Sequence, residues 1–236
     1  MKKMMAALAL SLLALPAKAD VVFSFDDGWN STHQIAFPIM KANGIVGTAY
    51  IATGQVGTDD FMPWNDIKDL ADFAWEIGNH TVHHLDLTTI PYTKVQKEVA
   101  FAQADFAKHG ITSETFASPY GETNPKIERL LRHEFLGARG AWKTAPSEVF
   151  SLTDKGVDRY NLPVFGVYSP IDLGHIENRL ALSLKEHKHL IFMFHRIVEN
   201  PTNKYEISSK DFQSIVDLCM KYNAKTVTLS NLLKGK

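Results

Sequence analysis

A single α/β domain built on a closed or nearly closed parallel barrel of about seven strands is what the sequence predicts, and three observations predict it. Short apolar runs alternate with amphipathic helical stretches about seven times along the chain, the order that βαβ units impose. Val21-Val22-Phe23-Ser24-Phe25 is apolar at nearly consecutive positions, which marks a strand covered on both faces. Residues able to do chemistry recur at the C-terminal ends of such runs: Asp26-Asp27, His80, Pro119-Tyr120, Arg139 and His195. Active sites gather at that end in parallel barrels and in open doubly wound sheets alike, and the open sheet is the alternative architecture.

Taken in order, the chain begins with a leader. Lys2 and Lys3 precede an apolar run from Met4 to Leu15, and Ala17-Lys18-Ala19 supplies a small-x-small cleavage site. Residues 1–19 are thus expected to be a signal peptide, with residues 20–236 forming the catalytic domain of an exported protein, periplasmic or secreted. The apolar run is too short to span a bilayer and no later stretch equals it, so stable membrane insertion is not expected. Losing Lys2, Lys3 and Lys18 takes the formal charge from −1 to −4, which is too mild and too mixed for a nucleic-acid partner. Cys219 is the single cysteine; it excludes an internal disulfide and, lying in an apolar helical pattern, is expected to be a buried thiol.

The first strand, Val21–Phe25, stops at two acids and Gly28, because carboxylates cannot remain unpaired in a buried run. Helical character over Ser31–Ala42 ends at Asn43-Gly44, and Ile45–Ile51 reads as the second strand. After a loop over Thr53–Pro63, Asp66–Ile77 places Ile67, Leu70, Ala71, Phe73, Ala74 and Ile77 on one helical face, closed by Gly78. Thr93 and Gln96 have the spacing of a capping box for a helix reaching Lys108. Ile111–Ala117 reads as a strand, and Asn124-Pro125 caps and starts a helix through His133. Phe135–Ala138, Tyr160–Val164 and Leu190–Phe194 read as strands, Asp172–Lys188 and Ser209–Tyr222 as helices, and Thr226–Leu229 as the last strand.

The strand-end residues suggest metal-assisted hydrolysis. His80 and His84 are four apart, the spacing that sets two imidazoles on one side of a helical turn, and His83 competes at three. A strand-end Asp with two His makes three protein ligands that leave positions open for water and substrate, and zinc is the default divalent metal, with cobalt or nickel as alternatives. The second acid is then free to be a general base, and His195 is placed to be a general acid. The backbone N–H of Tyr120, after Pro119, could help hold an oxyanion.

Ser24-Phe25-Asp26-Asp27-Gly28, His80-Thr81-Val82-His83-His84, Ser118-Pro119-Tyr120-Gly121 and Met193-Phe194-His195 resemble, in order and spacing, the motifs of the polysaccharide deacetylases, the NodB-homology proteins of carbohydrate esterase family 4. That resemblance runs from about Val21 to Leu233. It implies a distorted (β/α) barrel, Asp26 as base, Asp27, His80 and His84 as metal ligands, and His195 as acid. It also implies a glycan partner, with hydrolysis of N-acetyl groups on N-acetylglucosamine-type units. Two rival readings accompany it: an O-acetyl esterase or other amide hydrolase on the same site, and a glycan-binding module without catalysis. Intact Asp26 and His195 argue against the second, since binding needs neither acid nor base. The sequence departs from the family pattern at Phe116-Ala117-Ser118, where the family commonly has an arginine that tunes the base, and Met193 replaces a usual leucine. Arg139 is the expected replacement for the absent arginine, with Arg159 as its rival.

Overall fold

The computed structural model describes residues 19–141 and 147–235, so the expected signal peptide lies outside it except for Ala19. In chain order the elements are β1 (Asp20–Phe25), α1 (Phe37–Ala42), β2 (Thr48–Ile51), α2 (Trp64–Asp72), β3 (Glu76–Asn79), α3 (Tyr92–Lys108), β4 (Thr115–Ala117), α4 (Pro125–Glu134) and β5 (Gly137–Arg139). They continue through β6 (Val149–Phe150), β7 (Phe165–Gly166), α5 (Leu173–Glu186), β8 (His189–Phe194), β9 (Arg196–Val198), β10 (Glu206–Ser208), α6 (Ser209–Lys221), β11 (Lys225–Thr226) and α7 (Leu229–Lys234).

β1 is buried at every residue because both of its edges are paired. β8 runs parallel along one edge from Val21↔Leu190 to Phe25↔Phe194, and β2 and β11 divide the other. From β1 the parallel order continues through β2, β3 and β4 to β5. Leu162 and β7 then bridge the remaining gap: Leu162 pairs in parallel with Arg139 of β5, and Phe165 and Gly166 of β7 pair with Phe192 and Met193 of β8. A seven-membered, irregular parallel ring results, the distorted barrel that was expected. Phe23, Phe25, Phe192, Phe194 and Phe212 of α6 pack together with ring-centroid separations of 5.2 to 6.2 Å, and Cys219 joins the same buried cluster. Such aromatic pairs add about 0.5–1.5 kcal/mol each beyond the area they bury.

Several elements differ from the sequence reading. The helix expected over Asp66–Ile77 ends at Asp72, and Glu76–Asn79 is a strand. Ala74 takes a left-handed φ of 63°, which no helix continues through; Ile77 is buried as a strand residue and happens to prolong the apolar stripe. No capping box forms at α3, whose N-cap is Pro91. Tyr160–Val164 pairs only at Leu162, because Pro163 has no N–H for a ladder. The last expected strand splits: β11 ends at Thr226, and Thr228 caps α7 through its side chain. Strands β6, β9 and β10 are two or three residues long, too short to leave a periodic pattern. Asn124 does cap α4, accepting from the N–H groups of Lys126 and Ile127.

Candidate active site

The β1–β8 ladder extends one residue past β1, where the Asp26 N–H donates to the Phe194 carbonyl at 2.9 Å. Asp26 is therefore held at the barrel mouth, 3% exposed. Asp27 then leaves the strand with a φ of 72° and turns its side chain another way. The turn is pinned by the Met62 N–H, which donates to the Gly28 carbonyl at 2.9 Å, and Gly28 supplies a φ of 91° that L side chains rarely adopt.

His80 follows β3 directly and is buried. Its Nδ1 lies 2.8 Å from the Ala117 carbonyl; a carbonyl only accepts, so Nδ1 carries the proton and Nε2 keeps a free lone pair. That Nε2 is 3.4 Å from Asp27 Oδ1, and His84 Nε2 is 3.2 Å from the same oxygen. The two imidazoles meet without a helical turn, contrary to the reason the four-residue spacing suggested. Thr81 and His84 both have positive φ, and the loop is tied by the Thr81 N–H to Asn79 Oδ1 (2.8 Å) and the His84 N–H to Thr81 Oγ1 (3.0 Å). His83 faces away: its Nδ1 is 2.8 Å from Glu98 Oε1, and its own N–H donates to Glu98 Oε2.

One donor atom from each of Asp27, His80 and His84 falls within 4.8 Å of the others. Two imidazole nitrogens and a carboxylate oxygen, with one tautomer already fixed by a backbone carbonyl, form a donor set that fits a divalent cation such as zinc. Electrostatics agree with this donor set. Burial alone would raise the Asp27 carboxyl, but the facing His80 and His84 outweigh it and hold Asp27 well below the usual carboxylate range. Burial lowers His80, which keeps it neutral and able to ligate.

Asp26 has different partners. Arg139, 1% exposed, places Nη2 on Asp26 Oδ1 in an ion pair. The guanidinium is fixed by Nε donating to Ser24 Oγ at 2.8 Å and Nη1 donating to the Gly140 carbonyl at 3.1 Å, and it lies over the Tyr50 ring. Burial pushes Arg139 down to about 9, still cationic at neutral pH. Arg159 takes no part in this: it donates to the carbonyls of Leu136 and Leu233.

His195 lies across from Asp26, Nε2 to Oδ2 3.9 Å. Its ring sits 5.1 Å from that of Tyr205 and 6.5 Å from that of Tyr168, and its Nδ1 has no hydrogen-bond partner among the described residues. Burial, the largest influence, lowers His195 to about 4. Tyr120 adopts a φ of 60°, is 57% exposed, and sets its ring 4.7 Å from that of His84. Pro119 is buried.

These residues border a cavity of about 460 Å³ whose lining includes Asp26, Asp27, His80, His84, Tyr120 and His195, but not Pro119. Sequence reasoning missed Trp29, Tyr168, Tyr205 and Arg196, which also line it. Trp29 could have been noticed two residues after Asp27 and Arg196 one residue after His195; Tyr168 and Tyr205 are brought in by loops distant in sequence. Among the described residues no helix is long and apolar enough to cross a membrane.

Comparison with known proteins points to one family. The structure resembles the Bc1960 peptidoglycan N-acetylglucosamine deacetylase (TM-score 0.67, 16% identity, covering 93% of this chain and 90% of that one). It also resembles the Xyl-CE4 domain of a multidomain xylanase from the hindgut metagenome of Trinervitermes trinervoides (TM-score 0.62, 15% identity, 92% and 90% covered). At these identities the likeness establishes the fold. In sequence, the chain is 28% identical over 95 residues to YxkH of Bacillus subtilis (strain 168), provisionally named a polysaccharide deacetylase, a match covering 40% of this chain and 34% of that relative's length. The polysaccharide deacetylase profile matches residues 15–137, just over half of the chain. This protein belongs to the polysaccharide deacetylase family.

Proposed function

We propose that the protein is an exported, metal-dependent deacetylase that hydrolyses N-acetyl groups on N-acetylglucosamine-type glycans. The observation that carries this reading is the split between two neighbouring acids: Asp27 faces two imidazoles while Asp26 is paired with Arg139 and faces His195. A structural turn or a binding surface needs no such division. In the proposed mechanism Asp27, His80 and His84 would hold the cation, which when bound would supply Lewis acidity toward the acetyl carbonyl and water. Asp26 takes a proton from that water as its oxygen bonds to the acetyl carbon, and Arg139 keeps the carboxylate ionised and aimed. His195 protonates the amine nitrogen as the carbon–nitrogen bond breaks. At neutral pH a histidine lowered to about 4 enters uncharged, so the proton that Asp26 has taken must reach it; the 3.9 Å between Oδ2 and Nε2 lies within the reach of one bridging water. The Tyr120 backbone N–H is assigned to the oxyanion.

Support for the N-acetyl substrate comes from family membership and from likeness to a protein named as a peptidoglycan N-acetylglucosamine deacetylase. Likeness to a domain of a xylanase keeps an O-acetyl substrate as the rival. Acetate release from acetylated chito-oligomers and from acetylated xylan, each with and without chelator, tests both. Chelator-sensitive release from the chito-oligomers is expected; release from xylan alone would overturn the N-acetyl assignment, and no release from either would favour a binding module. Asp26→Asn should keep its metal while turnover falls by about two to four orders of magnitude.

A further inference from the structure

Asp27 uses its two oxygens differently. Oδ1 faces both imidazoles, 3.4 Å from His80 Nε2 and 3.2 Å from His84 Nε2. Oδ2 accepts the indole N–H of Trp29 at 2.9 Å. Trp29 is itself held by residues from two separate parts of the chain. Its ring stacks on Phe61 at 4.3 Å, and the two residues form an isolated antiparallel bridge. Arg196, the neighbour of His195, lies 5.1 Å from the indole ring and pairs with Asp60 at 3.0 Å. The Asn30 N–H donates to the Asp60 carbonyl at 2.7 Å, closing the clasp behind the turn. A tryptophan whose N–H is spent on a carboxylate facing two histidines, and whose ring is clamped, is more than packing.

We infer that Trp29 is a positioning residue for Asp27: it keeps Oδ2 occupied, so that the acid offers a single oxygen toward the histidines, and it thereby sets the affinity and the ligand number of a cation bound there. The inference rests on reading Asp27, His80 and His84 as a metal site. Hydrogen-bond partners behind a ligand fix its orientation, and losing one commonly weakens metal binding about 10- to 100-fold. Without the indole N–H, Oδ2 is free to turn inward and bind as a second oxygen.

The test uses the full chain and needs no turnover. Zinc affinity is measured by competition with a chromogenic chelator, and the visible absorption of the cobalt-loaded protein reports ligand number, for the wild type, Trp29→Phe and Asp27→Ala. Trp29→Phe retains an aromatic ring but lacks the donor; it should bind zinc about 10- to 100-fold more weakly and give a weaker cobalt absorption, as a ligand is added. Wild-type zinc affinity and cobalt spectrum in Trp29→Phe would overturn the inference. If Asp27→Ala binds zinc as tightly as the wild type, the metal-site reading itself falls, and the inference with it. Should Trp29→Phe fail to fold, metal-free wild type carries the test by nuclear magnetic resonance. Among the four indole N–H signals, one should exchange slowly with solvent and should both shift and exchange faster in Asp27→Ala; no indole responding to Asp27→Ala would overturn the assignment.

Discussion

His83 and His84 are chemically identical neighbours with opposite surroundings. His84 Nε2 faces Asp27 Oδ1, whereas His83 is bound by Glu98 and its side chain is 65% exposed. His84→Ala should lose stoichiometric zinc and acetate release together, and His83→Ala should lose neither, as metal analysis of the purified variants will show. Arg139 offers a second comparison at this scale. Arg139→Ala deprives a buried carboxylate of its cation, so turnover should fall well beyond tenfold with metal retained. Charge sets the sign of the pH effect: without the guanidinium the charged form of Asp26 is less favoured, and the acidic limb of the pH–rate profile should move to higher pH. Arg139→Lys should recover only part of the rate, because an ammonium lacks the planar fork that grips a carboxylate and also contacts Ser24 and the Gly140 carbonyl.

Among the elements, β3 does the most for the site, and the reason is an absent side chain. A Cβ at Gly78 would lie 2.3 Å from Tyr50 Cδ1 and Cε1, so glycine is required for the Tyr50 ring to lie across β3. Tyr50 in turn lies under the Arg139 guanidinium and bonds to Thr115 of β4 at 3.0 Å. Gly78 thus acts on Asp26 through two intermediaries. Gly78→Ala should cost about 1–3 kcal/mol through overpacking and should lower turnover by displacing Arg139, with zinc retained. Urea unfolding and metal analysis of the variant will separate these effects; unchanged stability would mean that Tyr50 yields without cost.

The whole molecule is stabilised by a core that contains its single thiol. Cys219 is 1% exposed within the aromatic cluster, and burial pushes it up to about 12. The thiol should resist alkylation and disulfide exchange at pH 8 in the native protein and react stoichiometrically once urea unfolds the chain. The neutral thiol is favoured by the fold, while the unfolded chain ionises from its ordinary range upward. Global stability should therefore fall as pH rises from the ordinary thiol range toward about 12, and Cys219→Ala should flatten that slope although it creates a small cavity.

The fold class, the strand-end acids and the histidines were legible in the sequence because each depends on local pattern. Val21–Phe25 is apolar without interruption, two carboxylates cannot continue such a strand, and a parallel barrel places the residues that end its strands at the catalytic rim. The pairing of Arg139 with Asp26 was expected only as one of two arginines, since nothing in one dimension tells which end of a short strand meets which acid. Tertiary structure chose Arg139 by pairing β4 with β5 and turned Arg159 onto the carbonyls of Leu136 and Leu233. It also started β3 before the end of what read as one helix, because Ile77 pairs with Ala49 of β2 as a strand residue rather than lying on the face of α2. The division of labour between His83 and His84 was decided by backbone geometry, the left-handed residues Thr81 and His84, and by Glu98 arriving from α3. Trp29, Tyr168 and Tyr205 meet the site only through contacts between loops. Periodicity reports which residues are buried; which buried or rim residues touch one another is settled by how strands pair, and sequence spacing does not encode that.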